Sequence, residues 1–225
     1  MKFSNKKVII FDLDGTLIDS SADLALAINH MLKSINHSTF TLDEIHNWVG
    51  NGATTLVKRA LSGSIQITEN IDEKVFQNAL DIFLKFYAQN LAVKTITYPH
   101  VLTTLAMLKN NGYKLVIVTN KPFDFVAPIL EGLKLKEYFE FYLGGDSLKE
   151  KKPNPAPLLH VCNRLQVSVD ECIMVGDSKN DILAAKACNM QSIGLTYGYN
   201  YGEPISTYSP DIYFSDFSKI SSTLC

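Results

Sequence analysis

The stretch Val8-Ile9-Ile10-Phe11-Asp12-Leu13-Asp14-Gly15-Thr16-Leu17 constrains this chain more than any other. Its first four residues are apolar, β-branched or aromatic, and read as a short buried strand that stops on a carboxylate. Side chains at i and i+2 of extended backbone point to the same side, so Asp12 and Asp14 face one small volume. Two carboxylates that close repel each other unless a cation is bound or one of them takes a proton. Gly15 lets the chain turn sharply after the pair. Asp and Gly are also ordinary turn residues, so the pattern alone fits a plain strand-to-helix turn as well as a site.

The next segment is helical. Asp19 or Ser20 is placed to cap a helix whose apolar stripe is Leu24, Ile28, Met31, Leu32 and Ile35. A short helix over 41–48 is followed by Gly50-Asn51-Gly52 and a helix through Leu56, Ala60 and Leu61. After a polar segment, Val75, Ala79, Ile82, Phe83 and Phe86 outline a longer helix, and no strand is expected between Asp19 and about Asn90.

Beyond this block strands and helices alternate. Strands are expected over 113–118, 138–143, 172–175 and 192–195, with helices over 101–108, 123–133, 155–165 and 181–188 between them. Gly112 is placed to end the first of these helices. Such alternation predicts an α/β fold, a parallel sheet with helices on both faces.

In open parallel sheets ligands bind at the carboxyl ends of strands. Three apolar strands here end in polar groups: Asp12 with Asp14, Thr119 with Asn120, and Asp177 after Gly176. Asp12, Asp14 and Asp177 make an all-oxygen set, suited to a hard cation such as Mg²⁺ and not to zinc. Lys152, in Lys151-Lys152-Pro153-Asn154-Pro155, would offset their charge and hold a substrate anion if it points inward; otherwise it belongs to a solvated basic loop.

Composition narrows the function classes. The 225 residues are 46% hydrophobic and 20% charged, which predicts a globular chain. A net charge of -2 offers no basic field for nucleic acid or an anionic membrane. The apolar run after Lys6-Lys7 is too short for a signal peptide, and no stretch reaches transmembrane length. Cys162, Cys172, Cys188 and Cys225 lack C-x-x-C spacing and read as reduced thiols of a cytoplasmic protein. The five histidines have no metal-ligand spacing. A nucleotide-binding oxidoreductase would need G-x-G-x-x-G after a strand, whereas Gly50-x-Gly52 follows a helix.

With these residues in view, the chain resembles the haloacid dehalogenase-like phosphohydrolases along nearly its whole length. The family's four motifs occur in order: Asp12-Leu13-Asp14-Gly15-Thr16, Thr119, Lys152, and Gly176-Asp177-Ser178-Lys179-Asn180-Asp181. The resemblance implies a Rossmann-like three-layer core of residues 1–18 and 93–225, interrupted by an all-helical cap of residues 19–92. Trp48-Val49-Gly50-Asn51-Gly52-Ala53, Thr119-Asn120-Lys121-Pro122 and the segment from Leu195 to Glu203 are similar, more narrowly, to the bacterial phosphoglycolate phosphatase branch.

The resemblance implies that Asp12 attacks phosphorus and that Asp14 serves as acid and then base. Mg²⁺ would be held by Asp12, the backbone carbonyl of Asp14 and the Asp177 carboxylate. Thr119, Lys152 and the backbone amides near Leu13 and Asn120 would hold the phosphoryl oxygens, with Asp181 orienting Lys152 or a metal-bound water. Dehalogenation, known among some relatives, needs neither Asp14 nor a metal. The implied substrate is a small phosphorylated acid, 2-phosphoglycolate, and the implied assembly a monomer or weak homodimer. Sugar phosphates, nucleotides, pyrophosphate and phosphomutase chemistry stay open. Gly50-Asn51-Gly52, at the start of a helix, is expected to receive the substrate's carboxylate with help from Arg59; a simple inter-helix turn explains the same residues.

Overall fold

The computed structural model describes residues 2–224. Strand β1 (Val8–Phe11) lies in the middle of a six-stranded parallel sheet. The others are β4 (Lys114–Val118), β5 (Phe141–Leu143), β6 (Cys172–Gly176), β7 (Gln191–Leu195) and β8 (Ile212–Phe214), in the order β5-β4-β1-β6-β7-β8. β1 pairs with β4 on one side, Ile10 opposite Val116, and with β6 on the other, Ile10 opposite Met174. The three strands whose ends carry polar residues are therefore neighbours. The chain winds one way from β1 through β4 to β5 and the other way through β6, so the switch point lies between β1 and β6, where such sheets open a crevice.

β1 has no polar face because both of its faces are covered. Ile9 and Phe11 join the core on one side, with Leu115, Ile117, Ile173 and Val175. Val8 and Ile10 join the core on the other, with Val116, Val118 and Met174. Burying each such side chain stabilises the fold by about 1.5–3 kcal/mol. The covering helices are α5 (Val101–Asn110), α6 (Phe123–Gly132), α7 (Ala156–Leu165), α8 (Lys179–Ala187) and the short α9 (Lys219–Thr223).

Between β1 and β4 the chain departs from the sheet. Two-residue strands β2 (Ile18–Asp19) and β3 (Ile96–Thr97) pair antiparallel, and between them stand α1 (Ser21–Ser34), α2 (Leu42–His46), α3 (Ala53–Ser62) and α4 (Glu73–Gln89). Asp23, fully buried on α1, accepts from the backbone N–H groups of Lys94 and Thr95 and from the Thr95 hydroxyl at 2.7–3.0 Å. It ties the departing chain to the returning one.

Three local expectations need correction. Ser20 stands at the N-cap of α1 without capping it: its hydroxyl donates to Asp14 Oδ1 at 2.5 Å, and Asp19 Oδ1 accepts from Ser21 N at 3.0 Å instead. On α4 the buried line is Phe76, Ala79, Phe83 and Tyr87: Ala79 and Phe83 are buried as expected, Phe76 and Tyr87 take the places of Val75 and Phe86, and Val75 is exposed. Apolar residues cover both flanks of α4, so periodicity alone does not fix its phase. β8 adds a strand that the sequence pattern does not signal, because Ile212-Tyr213-Phe214 is a three-residue edge strand with exposed Tyr213. Cys162, Cys172 and Cys188 are free thiols; Cys225 lies outside the described residues. Among the described residues, no helix is long and apolar enough to cross a membrane.

Candidate active site

Asp12 leaves the tip of β1 with its backbone N–H still bonded to Val175 O of β6 at 3.0 Å. Its Oδ1 accepts from Leu13 N at 2.7 Å and lies 3.1 Å from Lys152 Nζ. Both contacts fall on one oxygen, which leaves Oδ2 without a donor among the described residues.

Lys152 is almost completely buried. Its Nζ donates to Asp181 Oδ1 at 2.6 Å, while Asp181 Oδ2 accepts from Ser178 N and Ser178 Oγ at 3.0 Å. The second pair is the capping box of α8, so Asp181 fixes the helix start and the lysine together. Asp177 ends β6 and is equally buried, with Oδ1 accepting from Thr16 Oγ1 and Oδ2 from Tyr199 N, both at 2.6 Å. Gly15 and Gly198 close on this carboxylate; a Cβ on either would collide with it.

Asp14 is held by two other groups. Besides Ser20, it pairs with Lys121 Nζ, at 3.1 Å to Oδ1 and 3.3 Å to Oδ2. The same ammonium donates to Tyr87 Oη at 2.7 Å. Sequence reasoning gives neither Lys121 nor Tyr87 a role in the site. Lys121 follows Thr119-Asn120 directly, and that place at a strand tip is the available signal; Tyr87 is hidden by the ambiguous phase of α4.

Four buried or nearly buried carboxylates, Asp12, Asp14, Asp177 and Asp181, thus face two ammonium groups, Lys121 and Lys152. The excess of two negative charges is what one divalent cation would neutralise. One oxygen from each of Asp12, Asp177 and Asp181 lies within 4.8 Å of the others, and oxygen donors suit a hard ion. Burial first, then repulsion from Asp181 and Asp14, pushes Asp12 up to about 7, although Lys152 pulls it down. Burial and the charges of Asp181 and Asp12 hold Asp177 well above the usual carboxylate range. Burial pulls both lysines down, but their carboxylate partners outweigh it and keep them charged.

Asp12, Asp14 and Lys121 look into a cleft between the sheet's tips and α1, α3 and α4, with Lys152, Asp177 and Asp181 packed behind Asp12. Asp12, Asp14, Thr119, Asn120 and Lys121 line its floor, and Gly50, Gly52, Leu56, Phe83 and Tyr87 line its roof. Thr119 Oγ1 accepts from Lys121 N at 3.2 Å and keeps its own proton to donate. Asn120 Nδ2 holds Gly50 O at 3.2 Å and Lys152 O at 3.0 Å, while its buried Oδ1 has no donor among the described residues.

The Gly50-Asn51-Gly52 turn sits on the floor residues. Gly50 O also accepts from Asn180 Nδ2 at 3.1 Å, and Asn51 O accepts from Lys151 Nζ at 2.8 Å. Gly50 has φ +122°, and a Cβ there would lie 2.6 Å from Tyr201 Oη. Arg59 is not brought to the cleft: its guanidinium donates to Trp48 O at 2.6 Å and Ile65 O at 3.1 Å and lies over the Tyr201 ring. A residue two turns along α3 lies beyond the cleft's reach, so the expected help with a substrate carboxylate has no geometric support.

Comparison with known proteins agrees with this arrangement. The chain is 52% identical over 220 residues to a phosphoglycolate phosphatase of Colwellia psychrerythraea, covering 98% of this chain and 97% of that one. It is 46% identical over 217 residues to a phosphoglycolate phosphatase of Psychrobacter arcticus, covering 96% and 94%. A crystal structure of a predicted phosphoglycolate phosphatase from Haemophilus somnus superposes with a TM-score of 0.91 at 40% identity, over 97% of each chain. Residues 9–195 match the haloacid dehalogenase-like hydrolases, and the chain belongs to that family.

Proposed function

We propose that the protein is a Mg²⁺-dependent phosphomonoesterase that hydrolyses 2-phosphoglycolate to glycolate and phosphate through an aspartyl-phosphate on Asp12. The observation that carries this reading is the charge deficit at the floor of the cleft, where Asp12 presents one unengaged oxygen beside Lys152. The relatives' names support the choice of substrate. Asp12, Asp177 and the backbone carbonyl of Asp14 would hold Mg²⁺, which when bound neutralises charge between the carboxylates and the phosphate.

Asp12 Oδ2 forms the bond to phosphorus while the ester P–O bond breaks. Asp14, held by Ser20 and Lys121, gives its proton to the departing glycolate oxygen, and later takes one from the water that attacks the phosphorus. Thr119 Oγ1, Lys152 Nζ and the backbone amide at Asn120 stabilise the phosphoryl oxygens as charge moves, while the Leu13 amide holds Asp12 Oδ1. Residues 19–92 act as a cap that excludes water and selects the leaving group, with Gly50-Asn51-Gly52 packed on the core at Asn120 and Asn180. The free thiols fit a reducing compartment such as the cytoplasm.

The test is phosphate release, with and without Mg²⁺ after chelator treatment, from 2-phosphoglycolate, glucose 6-phosphate, a nucleoside monophosphate and pyrophosphate. The expected result is metal-dependent turnover with kcat/KM for 2-phosphoglycolate at least ten-fold above the others. Preference for another ester, or turnover indifferent to metal, would overturn the reading.

A further inference from the structure

We infer that Lys121 recognises the carboxylate of the substrate. This rests on the reading of a small phosphorylated acid given above, and it names the residue that would discriminate such an acid from other esters. Among the residues lining the cleft, Lys121 carries the one cationic side chain. The walls around it are apolar or aromatic, with Leu24, Leu56, Phe83 and Phe125 beside Tyr87. Lys152, beside Asp12, serves the phosphoryl end, so Lys121 is the cation left for a second anionic group of the substrate.

Donor count and reach support the assignment. An ammonium has three N–H donors. The acceptors of Lys121 Nζ among the described residues are Tyr87 Oη and the two oxygens of Asp14, the latter at 3.1 and 3.3 Å. The two Asp14 oxygens can share one N–H, and that arrangement leaves one donor for a ligand.

The position of that donor follows from the chemistry of Asp14. To protonate the leaving group, Asp14 must lie within a hydrogen bond of the ester oxygen, about 2.7 Å. Lys121 Nζ is 3.1 Å from Asp14 Oδ1, hence no more than about 6 Å from that ester oxygen. In 2-phosphoglycolate the carboxylate follows the ester oxygen after a single methylene, so its oxygens lie about 3 Å further along. Turned toward Lys121, those oxygens come within ion-pair reach of Nζ, whereas an ester without the anion leaves the ammonium unmatched by the substrate.

Tyr87 gives the lysine its direction. Its hydroxyl accepts from Nζ at 2.7 Å, and its ring lies 4.8 Å below the ammonium. Since Tyr87 belongs to α4 and Lys121 to the loop after β4, the reader of the carboxylate is assembled only where cap and core meet. The turn at Gly50, by contrast, spends its carbonyl on Asn120 and Asn180 and supplies no charged group.

The experiment compares kcat/KM for 2-phosphoglycolate with that for ethyl phosphate, in which a methyl group replaces the carboxylate. It is run on the wild type, Lys121→Met and Tyr87→Phe, each with a thermal melt. Lys121→Met should lower the ratio of the two values by 10- to 100-fold, beyond any loss common to both substrates through Asp14. Tyr87→Phe, which leaves the ammonium charged but less directed, should lower it at least three-fold. Equal losses on both substrates would overturn the proposal and leave Lys121 as a positioning residue for Asp14. If Lys121→Met does not fold, an unchanged ratio in Tyr87→Phe overturns it instead. A wild type that does not prefer 2-phosphoglycolate over ethyl phosphate would overturn the substrate reading together with the role of Lys121; a preference that survives in the variants overturns the role of Lys121 alone.

Discussion

Gly198→Ala adds a single methyl group in the loop after β7, far in sequence from Asp177, and should weaken metal binding. A Cβ on Gly198 would lie less than 3.0 Å from Asp177 Oδ2 and Cγ and from the Gly15 carbonyl oxygen, where ordinary contacts run 3.4–4 Å. Neither neighbour yields easily: the carbonyl is backbone, and the carboxylate is pinned by Thr16 Oγ1 and Tyr199 N at 2.6 Å each. Relief requires a shift of about 1 Å, which takes the carboxylate out of range of at least one of these bonds. A hydrogen bond to a charged group contributes about 1.5–3 kcal/mol, and losing an outer-shell partner of a metal ligand typically costs about 10–100-fold in affinity. Overpacking at such a site costs a further 1–3 kcal/mol, roughly, in fold stability. The assay is phosphate release titrated with Mg²⁺ after chelator treatment, accompanied by a melt. The half-saturating Mg²⁺ concentration should rise about 10- to 100-fold while the protein stays folded. A half-saturation within two-fold of wild type would refute the view that this loop positions Asp177.

Two further outcomes concern the same cluster. Lys152→Met removes the ammonium between Asp12 and Asp181 and leaves buried carboxylates unmatched, so stability should fall by about 3–5 kcal/mol and turnover should be lost; an unchanged urea midpoint would contradict this. Asp12 is raised from 3.8 to about 7 and Asp177 is also raised, so the folded chain holds these protons more tightly than the unfolded one. The contribution of Asp12 is therefore full below about pH 4 and is lost as pH rises through about 7, and that of Asp177 has the same sign. Mg²⁺ competes with the same protons, so it should raise Tm more at pH 8 than at pH 6, and an equal rise at both would count against the site.

The core of this molecule is legible in the sequence because its signals are local. Val8 to Phe11 has no polar residue, and a strand between two others with helices on both faces needs none. Asp12, Thr119 and Asp177 stand directly after such strands, so parallel order is enough to bring them together. The features that are not legible depend on distant partners. Nothing near Lys121 in sequence announces that it will reach Asp14 and Tyr87, 107 and 34 positions away. Ser20 looks like a cap because the acceptor of its hydroxyl, Asp14, lies in the preceding turn and not in the helix. Arg59 is drawn to the site by its helix alone, yet two backbone carbonyls of its own neighbourhood hold it. The loop at Tyr197 to Asn200 offers only a run of aromatic and small residues. Its function is steric and lies in the fold: Gly198 packs on Asp177, and Tyr199 Oη accepts from Ser20 N at 2.8 Å and donates to Asp19 Oδ1 at 2.6 Å where α1 begins.

The central claim is that Asp12 is the covalent nucleophile, and one substitution tests it most directly. Asp12→Asn keeps the shape at the tip of β1 and removes the anion that attacks phosphorus. The measurement is phosphate release from 2-phosphoglycolate at saturating Mg²⁺, on protein whose introduced amide mass spectrometry shows to be intact. The account predicts a fall in kcat by on the order of 10³-fold or more with the melt preserved. Turnover within ten-fold of wild type would contradict it.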